Sequence, residues 1–301
     1  MGYGGWKPED WARYSAKKVA GQSTSTIYAS RVMTSEFDPK QVAFRESRDS
    51  SEHPNSTPII IGLDVTGSMS LLLQVVAEKL GVLVQEILDR NPVTDPQIMF
   101  NAIGDAPAGD SAPFQVTQFE SDIRIAEQLT KLYFEKGGGG NGFESYPLAW
   151  YFAARHTKID SFDKQGRKGF LFTMGDDGYP EQLTQREIQR VFGDVVEADI
   201  PVAEMLAEVN RKYEVFHLCM AQGGSHRDSD LEKWRELLGE RAIRVSDYQR
   251  IPEIIVSILE AMRGRSIDSV VNSWDGTTAL VVKEALKGLT GITKSKGLIE
   301  F

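Results

Sequence analysis

The chain has 301 residues, 41% of them hydrophobic, which is ample for one large α/β domain with extensions that folds alone. Its formal net charge of −9 argues against general affinity for nucleic acid phosphates and for anionic membrane surfaces. No apolar run approaches the roughly 20 residues needed to cross a bilayer, and the opening MGYGGWKPEDWARYSAKK lacks the layout of a signal peptide, so a cytoplasmic location is expected.

Residues 1–57 read as an N-terminal arm or linker, with turn-formers gathered in RESRDSSEHPNSTP. The arm also carries Trp6, Trp11, Tyr14, Tyr28, Phe37 and Phe44, more aromatic mass than a solvated tail keeps, so part of it should dock. From 58 to 264 short β-rich runs alternate with helical ones. The pattern predicts strand 58–64, helix 70–90, strands 97–103 and 113–119, and helices 122–134 and 146–156. It continues with strand 168–174, helices 184–192 and 201–212, strand 214–220, helix 229–238, strand 241–246 and helix 251–263. Leu72, Val76, Leu80, Leu83 and Ile87 recur at helical spacing, and Val75, Val82 and Val84 widen the stripe until little polar face remains, as in a buried helix. The continuous runs IIIGL, FLFTM and VFHLCM suit parallel strands covered on both faces. With no helix between 97–103 and 113–119, one antiparallel pair is expected at the edge. The fold class is therefore α/β, a doubly wound, mostly parallel sheet with one antiparallel edge strand and helices on both faces. Residues 265–301 form an extension with one helix in TTALVVKEALKGL and a glycine-rich end.

Several residues read most simply as structure. Cys219, the single cysteine, lies in VFHLCM and excludes an intrachain disulfide; burial as a small hydrophobe follows. His217 sits mid-strand as a core histidine, and His156 ends its helix, where a cation is favoured. Trp150, Tyr151 and Phe152 point in different directions around one helix and fill core. The helix SDLEKWRELLGE is amphipathic through Leu231, Trp234 and Leu238 and reads as an ordinary surface helix ending at Gly239.

The stretch PIIIGLDVTGSMS carries the chemistry. Asp64 stands at the carboxyl end of the first core strand, where doubly wound sheets bind ligands. One acid there can merely cap a helix, and the following hydroxyls can satisfy loop backbone. Together, Asp64, Thr66, Ser68 and Ser70 at alternate positions form a cluster of hard oxygen donors, suited to Mg²⁺, Mn²⁺ or Ca²⁺ and not to zinc. Asp105, in NAIGDAP, ends the neighbouring strand in the same way and is either a supporting hydrogen-bond partner of the site or part of a plain turn.

DVTGSMS resembles the Asp-x-Ser-x-Ser signature of von Willebrand factor A domains, with Thr66 and Ser68 in the two hydroxyl slots. GGGGNGFESYPLAWYFAARHT and FLFTMGDDGYP stand, in the right order, where that family takes the remaining ligands of its metal-ion-dependent adhesion site. The resemblance spans roughly 58–264. The segments RESRDS, HPNSTPIIIGLDVTGSM, IGDAP, QFESDI and ESYPLAWYFAARHT are also similar to a group of bacterial and phage proteins with this domain, a group that lends no activity. The resemblance implies a divalent cation held by Asp64, Thr66 and Ser68, completed by an aspartate after the fourth strand. It also implies a protein partner whose Asp or Glu supplies the last oxygen. Two positions depart from the pattern. The family's loop threonine is missing, leaving Glu144 or Ser145 in its place, with helix capping as the alternative for Ser145. Either Asp176 or Asp177 can take the aspartate slot; Asp176, directly after Gly175, is preferred, with Asp177 in support or in a plain turn.

Two rival readings stand beside this non-enzymatic one. DVTGS and GDD also resemble the aspartyl-phosphate loops of P-type ATPases and related phosphatases, which would make Asp64 a nucleophile, although Pro180 stands where a second acid is usual. Alternatively the domain is a structural component of a bacterial or phage assembly. No Gly-Lys-Ser/Thr follows GGGGNGFES, so it is not a P-loop. The arm's Glu36, Asp38, Glu46 and Asp49 are candidates for a plug over the site.

Overall fold

The computed structural model describes residues 4–134, 140–222 and 228–290. The arm contributes helices α1 (Pro8–Tyr14) and α2 (Thr24–Ile27) and strand β1 (Arg45–Ser47). Strand β2 (Thr57–Asp64) leads through one 3-10 turn, Gly67–Met69, into helix α3 (Ser70–Arg90). Next come β3 (Pro96–Ile103), β4 (Phe114–Val116), α4 (Arg124–Leu129), α5 (Pro147–Arg155), β5 (Thr157–Ile159), α6 (Asp160–Asp163) and β6 (Gly169–Gly175). They are followed by β7 (Gln182–Leu183), α7 (Gln185–Phe192), β8 (Ile200–Pro201), α8 (Val202–Val209), β9 (Tyr213–Met220) and α9 (Asp228–Leu238). Last are β10 (Ala242–Val245), α10 (Ile251–Met262), α11 (Ile267–Val271) and α12 (Gly276–Ala285).

Six strands form one sheet in the order β10-β9-β6-β2-β3-β4, parallel except that β4 runs antiparallel to β3. This is the doubly wound layout expected. Alternation along the strands divides the core in two. Ile59, Ile61 and Leu63 of β2 face the layer with α3 and α10, while Ile60 faces the layer with α5, α8 and α9. The chain leaves β2 to add β3 on one side, then returns to add β6 on the other, so strand order reverses between β2 and β6. The crevice beyond the carboxyl ends of those two strands is the position where such sheets place ligands.

Helix α4 ends at Leu129, five residues before the expected limit. The amide of Gln115 takes both backbone groups of Tyr133, donating to its carbonyl at 2.6 Å and accepting from its N–H at 3.0 Å, in place of helical partners. Strand β4 is likewise shorter than 113–119. The pairs β1–β5 and β7–β8 and helix α11 were not legible, since elements of two to five residues show no hydrophobic period. The arm's Trp11, Val19, Ile27, Tyr28 and Phe37 lie in the α3 layer of the core, and Trp6 Nε1 donates to the Pro96 carbonyl at 3.2 Å. Phe44 remains exposed. Expectations about the C-terminal glycine-rich end from 291 onward, His226 and Gly137–Gly139 fall outside the described residues. Among the described residues no helix is long and apolar enough to cross a membrane.

Candidate metal centre

Every residue of β2 is buried, and the strand delivers Asp64 to the switch point fully covered. Val65 N–H still bonds the Ile103 carbonyl at 2.9 Å, after which the chain turns. Thr66 folds back, its N–H and hydroxyl donating to Asp64 Oδ1 at 2.9 and 2.6 Å. The other oxygen, Oδ2, accepts from the Tyr146 hydroxyl at 2.8 Å. Two residues further along the turn, Ser68 Oγ donates to Asp176 Oδ1 at 3.1 Å. One tight turn therefore clasps carboxylates from two adjacent strands. Gly175, the last residue of β6, makes this possible: a Cβ there would collide with the Tyr146 hydroxyl and lie 2.6 Å from Asp64 Oδ2. Ser70 Oγ donates to the Gly67 carbonyl at 3.3 Å, serving loop backbone.

The segment before α5 closes the site. Glu144 N–H donates to the Gly178 carbonyl at 3.1 Å, joining this segment to the turn after β6. Ser145 does not cap α5 with its side chain: its Oγ accepts from Ala106 N–H at 3.0 Å, because the loop after β3 presents that amide to it. Glu144 is only 3% exposed, yet among the described residues its Oε2 has no hydrogen-bond partner. Burial pushes its carboxyl up to about 10, and Asp64, Asp105, Asp177 and Asp110 push in the same direction. Burial also lifts Asp64 to about 7, helped by Asp176 and opposed by the Thr66 and Tyr146 donors. The Tyr146 phenol, held up by burial and by Asp64 and Glu144, keeps its proton and acts as donor.

Asp105 shapes its own turn, accepting from Ala108 N–H at 3.1 Å and from Asn141 Nδ2 at 2.7 Å. Asp177 is half-buried and its carbonyl accepts from Trp234 Nε1 at 3.1 Å. Three of the arm's four candidate plug acids are engaged elsewhere: the Asp38 carboxylate accepts from Lys40 N–H, Glu46 pairs with Arg48, and Asp49 accepts from Ser56 and Lys164, while Glu36 takes part through its backbone carbonyl, which accepts from Arg45.

Tyr146, His217 and Trp234 are the residues that sequence reasoning missed here. His217 bonds Thr173 Oγ1 at 2.9 Å through Nδ1 and stacks on Trp234 at 3.7 Å between ring centroids, while its Nε2 has no partner among the described residues. Burial holds its pKa well below the ordinary value, so the ring is neutral. The edge of Tyr146 packs on both rings, at 4.8 and 5.5 Å. Helix α9 is thus more than an ordinary surface helix. Trp234 bonds Asp177, and Lys233 exchanges hydrogen bonds with Tyr179 at 2.8 and 3.1 Å, clamping the turn that carries Asp176. The signal was a tryptophan on the apolar stripe of a charged helix. Nothing marked Tyr146, whose partner lies 82 positions away.

Among the described residues no three His, Cys, Asp or Glu side chains come together as a metal site, so a cation at this position depends on hydroxyl oxygens. Asp64, Asp176, Thr66 and Ser68 provide such a set, and it fits a hard divalent ion. The orphaned Glu144 oxygen, whose strongest charged influences are four acids, is a second point of fit. Ser68 and Ser70 are exposed, and Leu71 beside them is 50% exposed, so the turn is open to a partner.

No protein-family model matches the chain, and no curated protein matches it. Solved structures align over most of it at low identity. The pilus adhesin SpaC of Lactobacillus rhamnosus GG, in its open conformation, is 8% identical over 76% of this chain, with a TM-score of 0.48; this chain spans 31% of that one. BatB from Bacteroides thetaiotaomicron is 15% identical over 70% of this chain and 100% of its own, with a TM-score of 0.40. The SpRpn10 VWA domain is 9% identical over 61% and 82%, with a TM-score of 0.37.

Proposed function

We propose that the chain is a divalent-cation-dependent protein-interaction module, not an enzyme. Asp64, Thr66, Ser68 and Asp176 would hold Mg²⁺, Mn²⁺ or Ca²⁺, and Glu144, kept protonated by burial without the ion, would lose its proton in the ion's field and add negative charge from the α5 side. The bound ion supplies positive charge to which a partner's Asp or Glu binds. The carrying observation is the double clasp at the switch point, Thr66 on Asp64 and Ser68 on Asp176, next to the buried Glu144 Oε2, which has no partner among the described residues. The exposed Leu71 offers the partner an apolar contact beside the ion. The phosphatase reading has less support, since Pro180 stands where that turn usually carries a second acid.

The test is calorimetric titration of MgCl₂, MnCl₂ and CaCl₂ into the protein, Asp64→Ala and Asp176→Ala, with thermal unfolding in parallel. One saturable event is expected, weakened at least about tenfold in either variant. At a hundredfold excess over Kd the ion should stabilise the fold by about 2.7 kcal/mol. Absence of binding to the unsubstituted protein sinks the proposal. Labelling of Asp64 by beryllium fluoride with turnover of a phosphate ester supports the enzyme instead.

A further inference from the structure

A groove of about 740 Å³ lies between the arm and α4, away from the carboxylates of the candidate metal centre. Its rim carries Arg13, Lys17, Lys18 and Lys131 against only two acids, Asp10 and Glu127. Arg13 is paired with Asp10 at 3.8 Å; among the described residues the ammonium groups of Lys17, Lys18 and Lys131 make no ion pair. The cluster runs against the chain's charge. Residues 4–34 hold five basic residues (Lys7, Arg13, Lys17, Lys18, Arg31) and two acidic ones (Glu9, Asp10) in a protein of net charge −9.

The groove is also built in advance. Tyr14, in its wall, donates to the Ala126 carbonyl at 2.9 Å and to Thr130 Oγ1 at 3.1 Å, bolting the arm to α4. Tyr28 donates to the Leu73 carbonyl at 2.9 Å, and Trp11 is buried against α3 beside Gly81. Lys17 and Lys18 project from a π-helical turn, Ser15–Val19, closed by Ala20 N–H on the Ser15 carbonyl at 2.8 Å. Such turns are rare and occur frequently at functional sites.

We infer that this groove binds a carboxylate-rich peptide segment of a protein partner. The volume falls in the range of ligand sites, and three unpaired ammonium groups on a fixed frame complement spaced carboxylates. A peptide can set neutral side chains against Asp10 and Glu127, whereas a phosphate polymer presents uniform charge to them and to the acidic remainder of the surface. The inference stands independently of the cation.

The test is fluorescence anisotropy of a fluorescein-labelled peptide of alternating Glu and Gly residues with the full chain, at low salt and in EDTA. Saturable binding is expected, weakened roughly tenfold or more in Lys17→Glu/Lys18→Glu/Lys131→Glu and tightened in Glu127→Gln. All four substituted groove positions are exposed; circular dichroism checks the fold, and Glu127→Gln keeps the test decisive if the triple variant fails to fold. No saturable binding, or equal binding by the triple variant, overturns the inference. Tighter binding of an oligothymidylate of equal charge overturns it in favour of a phosphate site.

Discussion

Replacing Tyr146 by Phe removes one oxygen from beneath the site and leaves the ring where His217 and Trp234 hold it. Asp64 is fully buried and has three donors, at 2.9 and 2.6 Å from Thr66 and 2.8 Å from Tyr146. The variant leaves Oδ2 without its donor, and a hydrogen bond to a charged buried group contributes about 1.5–3 kcal/mol. Urea unfolding in EDTA should therefore show the variant less stable by that amount, a shift in midpoint of roughly 0.5–1 M for a slope near 3 kcal/mol per M. Saturating Mg²⁺ should narrow the gap, because the ion and the phenolic proton stabilise the same negative charge. Equal stability of both proteins in EDTA refutes the value assigned to the phenol–carboxylate bond. A gap that is unchanged by Mg²⁺ refutes the placement of the cation beside Asp64.

Three further substitutions probe the surroundings. Glu144→Gln replaces a carboxyl that burial holds protonated near neutral pH, so the cation-free protein should melt at nearly the same temperature while the gain on adding Mg²⁺ shrinks; an undiminished gain contradicts this. Trp234→Ala empties a fully buried site and frees the Asp177 carbonyl, costing about 3–5 kcal/mol and weakening Mg²⁺ binding with it. Unaltered Mg²⁺ affinity in a folded Trp234→Ala protein shows that α9 does not position the turn. His217, neutral in the fold, binds a proton in the unfolded chain below about pH 6.5. The unfolded state then holds more protons, so stability is full above that pH and falls as pH drops below it. Urea midpoints at mildly acidic and neutral pH should show a steeper acid loss for the unsubstituted protein than for His217→Phe.

The sequence is legible where the signal is local, and silent where a bond joins distant segments. Helix α3 runs from Ser70 to Arg90 as its apolar period requires, and β2 ends at Asp64 where the isoleucine run stops. The approach of Asp176 to the DVTGS turn follows from topology, since strands on either side of the switch point deliver their last residues to one crevice. The early end of α4 does not follow, because Gln115, on another strand, takes the backbone of Tyr133. Ser145 has the right spacing for a helix cap, and its hydroxyl instead accepts from the Ala106 amide brought up by the loop after β3.

Gly175 concentrates the difference. In sequence it is a strand terminator, interchangeable with any small turn-former. In the fold its missing side chain is the space into which the Tyr146 hydroxyl reaches Asp64. The motif DVTGS sets which oxygens are present, but the glycine on a strand more than a hundred residues later sets how Asp64 is held. A chain with the same DVTGS turn and an alanine after Met174 would keep Thr66 on Oδ1 and lose the phenol on Oδ2. Its Asp64 would then lack one of the donors that oppose burial, and its carboxyl would rise further. The proposed cation affinity of this crevice would therefore depend on the strand-end glycine and the buried tyrosine as much as on the oxygen-bearing turn.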